Sequence, residues 1–132
     1  MQTGDSDLVR QIIAIDVHTP MAYTHAVMTF KETSVFTRQI RKLIPDDQYR
    51  EFQQELIFNP AAGDVIKGSG GLRKIRWRSA TKGKRGGIRI IYYWYMEDCE
   101  IYLLLAYGKN EKSDLSPKEV KILRTLVKEN LL

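Results

Sequence analysis

Residues 71–95 read GLRKIRWRSATKGKRGGIRIIYYWY, two strand-like runs joined by a basic, glycine-bearing loop. In Leu72–Arg78, Arg73, Ile75 and Trp77 alternate with Lys74, Arg76 and Arg78, the period of two that sends successive side chains to opposite faces of a sheet. Ile88–Tyr95 is rich in β-branched and aromatic residues, which suit a pleated, packed surface. Thr81–Gly87 between them is a loop by its glycines. From Lys67 to Arg89 there are nine lysines and arginines and no acid. A surface that needed only solubility would mix both signs, so this excess points to a polyanion, with phosphate backbones the natural class. A merely solvated basic face is disfavoured because the charges interleave with aromatic and β-branched residues.

The same asymmetry extends along the chain. Residues 1–27 hold Asp5, Asp7 and Asp16 against Arg10, a charge of −2, so the whole-chain +5 leaves +7 on residues 28–132. The first 27 residues lack the basic start and long apolar stretch of a secretory signal. Leu8, Val9, Ile12, Ile13 and Ile15 offer one short helical face that Thr19-Pro20 ends. Two readings follow: an upstream extension, with Met28 as the true start, or a functional N-terminal helix. The first is preferred, giving one domain over residues 28–132.

Thr29–Thr33 is strand-like. Phe36, Ile40, Leu43 and Ile44 then recur at helical spacing up to Pro45. Pro45-Asp46-Asp47 opens a second helix, with acids in the turn where the helix dipole favours them. Its stripe runs through Tyr49, Phe52 and Leu56 to the stop at Asn59-Pro60. Gly63–Gly71 reads as a loop, Glu97-Asp98 as a tight turn and Glu100–Tyr107 as a returning strand. Ser116-Pro117-Lys118-Glu119 combines an N-cap, a proline at N1 and an acid at N3, so a final helix starts there. The resulting order is β-α-α-β-β-β-α, an α+β fold with a small antiparallel sheet of three or four strands covered by helices.

Several chemistries are excluded by what is missing. There is no P-loop, no dinucleotide fingerprint and no paired-cysteine metal spacing, and no cofactor is expected. The single Cys99 excludes an intramolecular disulfide framework and suits a reducing cytoplasm. No apolar run approaches the length of a membrane span, so no membrane partner is expected. The only histidines, His18 and His25, lie in the N-terminal extension, and Asp46, Asp47, Glu51 and Glu55 read as a solvated helix face rather than a metal site. Basic residues can still act on RNA. Lys74 and Arg76 share a strand face roughly 6.6 Å apart, and Arg89 projects beside them if the next strand is antiparallel. Such a cluster would bind phosphate and stabilise the added charge of a phosphoryl transition state. Crowding by like charge would also ease Lys74 towards a neutral amine base. RNA supplies its own nucleophile, the 2′-OH. Charge alone leaves cleavage and simple RNA binding equally open.

The segments GSGGLRKIRW, KGKRGGIRIIYY and YLLLAYGKNEKSDLS resemble the RelE/HigB toxins of bacterial type II toxin–antitoxin modules, closest to HigB-type members with a lysine-rich loop between the second and third strands. The likeness covers Phe30 to the C-terminus and is best from Gly68 to Ser116. It implies a compact cytoplasmic endoribonuclease that enters the ribosomal A site and cuts mRNA without a metal. Attack by the 2′-OH would leave a 2′,3′-cyclic phosphate. It assigns Lys74, Arg76 and Arg89 to catalysis, with Lys74 the better base candidate and Arg89 stabilising the phosphate. Arg73, Arg78, Lys82, Lys84, Arg85 and Lys109 would grip RNA. The implied partners are the ribosome, mRNA and a cognate antitoxin of helix-turn-helix type. Better-studied members carry an arginine just after the Gly-Lys of the last strand and a tyrosine several residues later; here those positions are Asn110 and Ser116. The leaving-group acid is therefore unassigned, with Tyr92, Tyr93 and Tyr107 as substitutes. Trp77 and Trp94 read as packing residues, Trp77 serving as a base-stacking platform only if exposed.

Overall fold

Thr33, between the first strand and the first helix, shows how closely the local chemistry sets the architecture. Its hydroxyl accepts a hydrogen bond from the Phe36 amide at 3.0 Å, capping the helix, and donates one to the Leu104 carbonyl at 2.9 Å, tying the helix start to the sheet. The computed structural model describes residues 28–78, 87–111 and 114–131, without the side chains of Asp98, Asn130 and Leu131. The proposed extension, residues 1–27, and the loop residues Lys82, Lys84 and Arg85 lie outside the described residues. In order, the elements are β1 (Thr29–Glu32), α1 (Ser34–Leu43), α2 (Asp46–Phe58), β2 (Asp64–Val65), β3 (Leu72–Trp77), β4 (Ile88–Tyr95), β5 (Glu100–Gly108) and α3 (Pro117–Leu126). A single 3-10 turn, Met96–Asp98, links β4 to β5.

The α+β class and the order of the larger elements are as expected from sequence. Two details differ. The sheet has five strands in the order β1-β5-β4-β3-β2, and β1 runs parallel to β5, with Thr29 opposite Glu100 and Glu32 opposite Leu103. The added strand, β2, is only two residues long, too short to display an alternation, and pairs antiparallel with Lys74 and Arg73. Its approach depends on Gly63, where a Cβ would meet the Tyr92 ring at 2.9 Å and the Lys74 carbonyl at 3.0 Å. Strand direction at β1 is likewise not a local property. It follows from the α1–α2 hairpin that carries the chain away over one face.

That hairpin covers one side of the sheet. Phe36, Ile40, Phe52 and Leu56 pack on Phe30, Ile88, Ile90, Tyr92, Ile101 and Leu103, with Trp77 edge-on to Phe52 at 5.7 Å between ring centres. Trp77 is therefore a core residue and not an exposed stacking platform; Trp94 packs at the margin of the same cluster. On the other side Leu123 of α3 and Val127 just after it join Leu72, Ile91, Tyr102 and Leu104. α3 starts as the sequence signals: the Ser116 hydroxyl accepts from the Glu119 amide at 3.1 Å, and the Glu119 carboxylate accepts from the Ser116 amide at 2.9 Å.

Glu32 is buried at the end of β1, where its carboxylate accepts hydrogen bonds from the hydroxyls of Thr37 on α1 and Tyr49 on α2. One side chain thus joins the sheet to both helices of the hairpin. Glu32→Ala removes the acceptor that joins Thr37 and Tyr49 to the sheet and is expected to cost about 2 kcal/mol, read as a lowered urea midpoint with an unchanged slope.

Candidate functional site

The β3–β4–β5 register places Arg76 directly opposite Arg89, and Arg89 directly opposite Tyr107. Directly opposed residues of antiparallel strands share a face, so these three side chains form a row across three strands. Lys74 lies one step along the same face of β3, opposite Ile91. This is the face that α3 covers only in part, the row lying towards the C-terminal ends of β3 and β5. Facing arginines destabilise a bare sheet. An anion lying between them would remove that cost.

Tyr107 reaches the row because of an irregularity. Ile101 and Leu103 point into the core beneath the α1–α2 hairpin, and strict alternation along β5 would send Tyr107 there too. The register between β4 and β5 shifts between Ile91 and Tyr92, and both Leu104 and Leu105 pack on the α3 side. The bulge reverses the parity, and Tyr107 emerges beside Arg89. Its phenol is pushed above the ordinary tyrosine range, chiefly by burial and then by the nearby Asp114 carboxylate, against which Arg89 pulls it down. It therefore stays protonated at neutral pH.

Beside the row lies an open depression of about 290 Å³ lined by Arg76, Trp77, Arg78, Gly87, Arg89 and Lys109. Four of the basic residues expected to meet RNA thus converge on one surface. Its floor depends on Gly87, which has φ +57° and where a Cβ would sit 2.6 Å from the Trp77 carbonyl. Arg76, Arg78 and Lys109 are exposed, and Arg89 is half-buried.

Arg73 goes elsewhere. It points to the opposite face, where its Nη1 donates to the carbonyls of Gly63 at 2.7 Å and Ala61 at 3.3 Å, holding the turn into β2. Tyr92 supports the same turn: its hydroxyl donates to Pro60 O at 2.7 Å and accepts from the Gly63 amide at 2.8 Å. Burial raises the Tyr92 phenol above its usual range, the Gly63 amide being the largest opposing influence. Of the three candidate tyrosines, Tyr92 is structural, and Tyr93 is tilted against Tyr102 at the far end of the face. Only Tyr107 stands in the basic row. Tyr92→Phe is expected to lower stability by about 1–2 kcal/mol, checked by chemical denaturation.

Asp114 was not a sequence candidate. Its carboxylate accepts a hydrogen bond from Lys74 Nζ at 2.7 Å, 40 residues away in the chain. No local pattern announces such a contact. Among the described residues, no group of three or more His, Cys, Asp or Glu is placed to hold a metal ion. Asp46, Asp47 and Glu55 are exposed on α2. No helix among the described residues is long and apolar enough to cross a membrane.

Residues 27–131 match the family described as the RelE toxin of the RelE/RelB toxin–antitoxin system. Among solved structures, the chain is similar to the intact E. coli RelBE toxin–antitoxin complex, with 20% identity over 59% of this chain and 92% of that one, at a TM-score of 0.45. It is also similar to a double arginine-to-alanine variant of E. coli RelE in the free state, with 17% identity over 71% and 95% of the two chains and a TM-score of 0.49. For the isolated E. coli RelE toxin the values are 14%, 74%, 96% and 0.42.

Proposed function

The chain belongs to the RelE toxin family, the toxins of RelE/RelB toxin–antitoxin systems, and from that premise we propose that it is a ribosome-dependent mRNA endoribonuclease. The observation that carries this reading is the row Arg76–Arg89–Tyr107 with Lys74 alongside, three cations and a neutral phenol on one face of the sheet. The 2′-OH of the substrate attacks the neighbouring phosphorus as its proton passes to solvent water. The bond to the 5′-oxygen breaks, that oxygen takes up a proton from water to leave as a 5′-hydroxyl, and the upstream strand ends in a 2′,3′-cyclic phosphate. Arg76 and Arg89 stabilise the charge that builds on the non-bridging oxygens. Lys74 adds a further ammonium on the same side. Arg78 and Lys109 at the depression, together with Lys82, Lys84 and Arg85 of the loop, hold the RNA backbone or ribosomal RNA. The reaction needs no metal in this scheme, because the cations that would neutralise the phosphate are side chains.

The protein works in the cytoplasm, where ribosomes translate, and a cognate antitoxin of helix-turn-helix type restrains it by covering the basic face or blocking entry to the ribosome. The segments shared with HigB-type toxins support a place in that branch. The test uses the purified chain and a defined mRNA, with and without translating ribosomes. Cleavage only with translating ribosomes, lost in the Lys74→Ala/Arg89→Ala double variant, is the expected result. Binding without any cut product would instead favour a non-enzymatic RNA- or ribosome-binding module. Cleavage that survives in the double variant would refute the site.

A further inference from the structure

Asp114 places a carboxylate on a face otherwise lined by cations, and the ribonuclease scheme gives it no part. It hydrogen-bonds Lys74, and that bond, followed by the charge of Lys74, holds its carboxyl below the usual carboxylate range; the Leu115 amide and Arg76 add to the effect. It also acts on Tyr107. Asp114 therefore touches Lys74 directly and acts on Arg76 and Tyr107 through its charge. An acid here weakens the field that attracts RNA. Its ion pair contributes little to stability, since the Asp114 side chain is 72% exposed. Neither RNA affinity nor folding accounts for its position.

We propose that Asp114 is a positioning residue for RNA cleavage, fixing the head group of Lys74 beside the Arg76–Arg89–Tyr107 row. The inference rests on the ribonuclease reading. A lysine head is a compact charge on a flexible four-carbon stem, and two arginines on the same face would drive it outwards into water. Asp114 opposes that drift from a fixed mounting: it stands two residues before Ser116, whose reciprocal bonds with Glu119 anchor the start of α3. The Lys74 side chain is only 18% exposed, so its stem lies along the sheet and its head meets the post. An ammonium has three donors, and Asp114 takes one. The others remain for a phosphate oxygen, so the post need not release when RNA arrives.

The experiment compares the full-length chain with D114N, D114E, K74A and K74A/D114N on ribosome-bound mRNA. D114N is expected to lower kcat by about tenfold or more, with KM changed by less than about twofold. D114E should recover most of the rate. K74A/D114N should be no slower than K74A, because Asp114 acts through Lys74. Mass-spectrometric mapping of lysine acylation without RNA should show Lys74 more reactive in D114N. A D114N rate equal to wild type, a further slowing of K74A by D114N, or unchanged Lys74 acylation would each overturn the inference alone. A wild-type chain that cuts no mRNA on translating ribosomes would overturn the ribonuclease reading, and this inference with it.

Discussion

Arg89→Ala is expected to slow mRNA cleavage by a factor on the order of 10²–10³, the loss that follows removal of one preorganised group stabilising transition-state charge. Arg89 is the middle member of the row, flanked by Arg76 on β3 and Tyr107 on β5, so its removal separates the two remaining groups. The loss should fall on kcat and kcat/KM alike, because the interaction strengthens as charge builds on the phosphate. Folding should survive. Arg89 faces another arginine, and deleting one of two opposed like charges relieves repulsion in the sheet. Single-turnover cleavage beside a thermal melt separates the two effects. A rate within twofold of wild type would remove Arg89 from the site.

The largest effect on stability is expected at Phe52. Its ring is fully buried, meets Trp77 edge-on at 5.7 Å and stacks on Tyr49 at 6.4 Å. Phe52→Ala removes those contacts from the centre of the hairpin-to-sheet core and should cost about 3–5 kcal/mol. Domains of this size commonly have about 5–15 kcal/mol in total, so the variant should unfold at much lower urea. The loss should reach the site as well, because Trp77 adjoins Arg76 on β3 and lines the depression. Phe58→Ala, at a side chain 87% exposed, is the control and should change stability by less than about 0.5 kcal/mol. Equal losses in the two variants would mean that the core is misplaced.

How far the sequence reveals this molecule depends on whether its signals are local. Alternation along Leu72–Arg78 is local, and it correctly separates Ile75 and Trp77 on the core side from Lys74 and Arg76 on the other. The cap and proline before α3 are local too, and Ser116 does what its position signals. The same alternation puts Arg73 on the core side, and it is there that it meets Gly63 and Ala61, away from the residues with which charge alone had grouped it. Three features lay beyond sequence reading. The parallel course of β1 is set by a partner about 70 residues away. The bulge that turns Tyr107 towards Arg89 has no glycine or proline at the Ile91/Tyr92 shift to mark it. Asp114 becomes significant only when the segment before α3 folds back onto β3.

The most direct measurement is the end chemistry of the cut RNA. Purified protein, translating ribosomes and a 5′-labelled mRNA should give a short fragment ending in a 2′,3′-cyclic phosphate, its downstream partner carrying a 5′-hydroxyl, with both products lost in Arg89→Ala. A 5′-phosphate on the downstream fragment would contradict attack by the 2′-OH, and mRNA that stays full length while bound would contradict catalysis at this basic row.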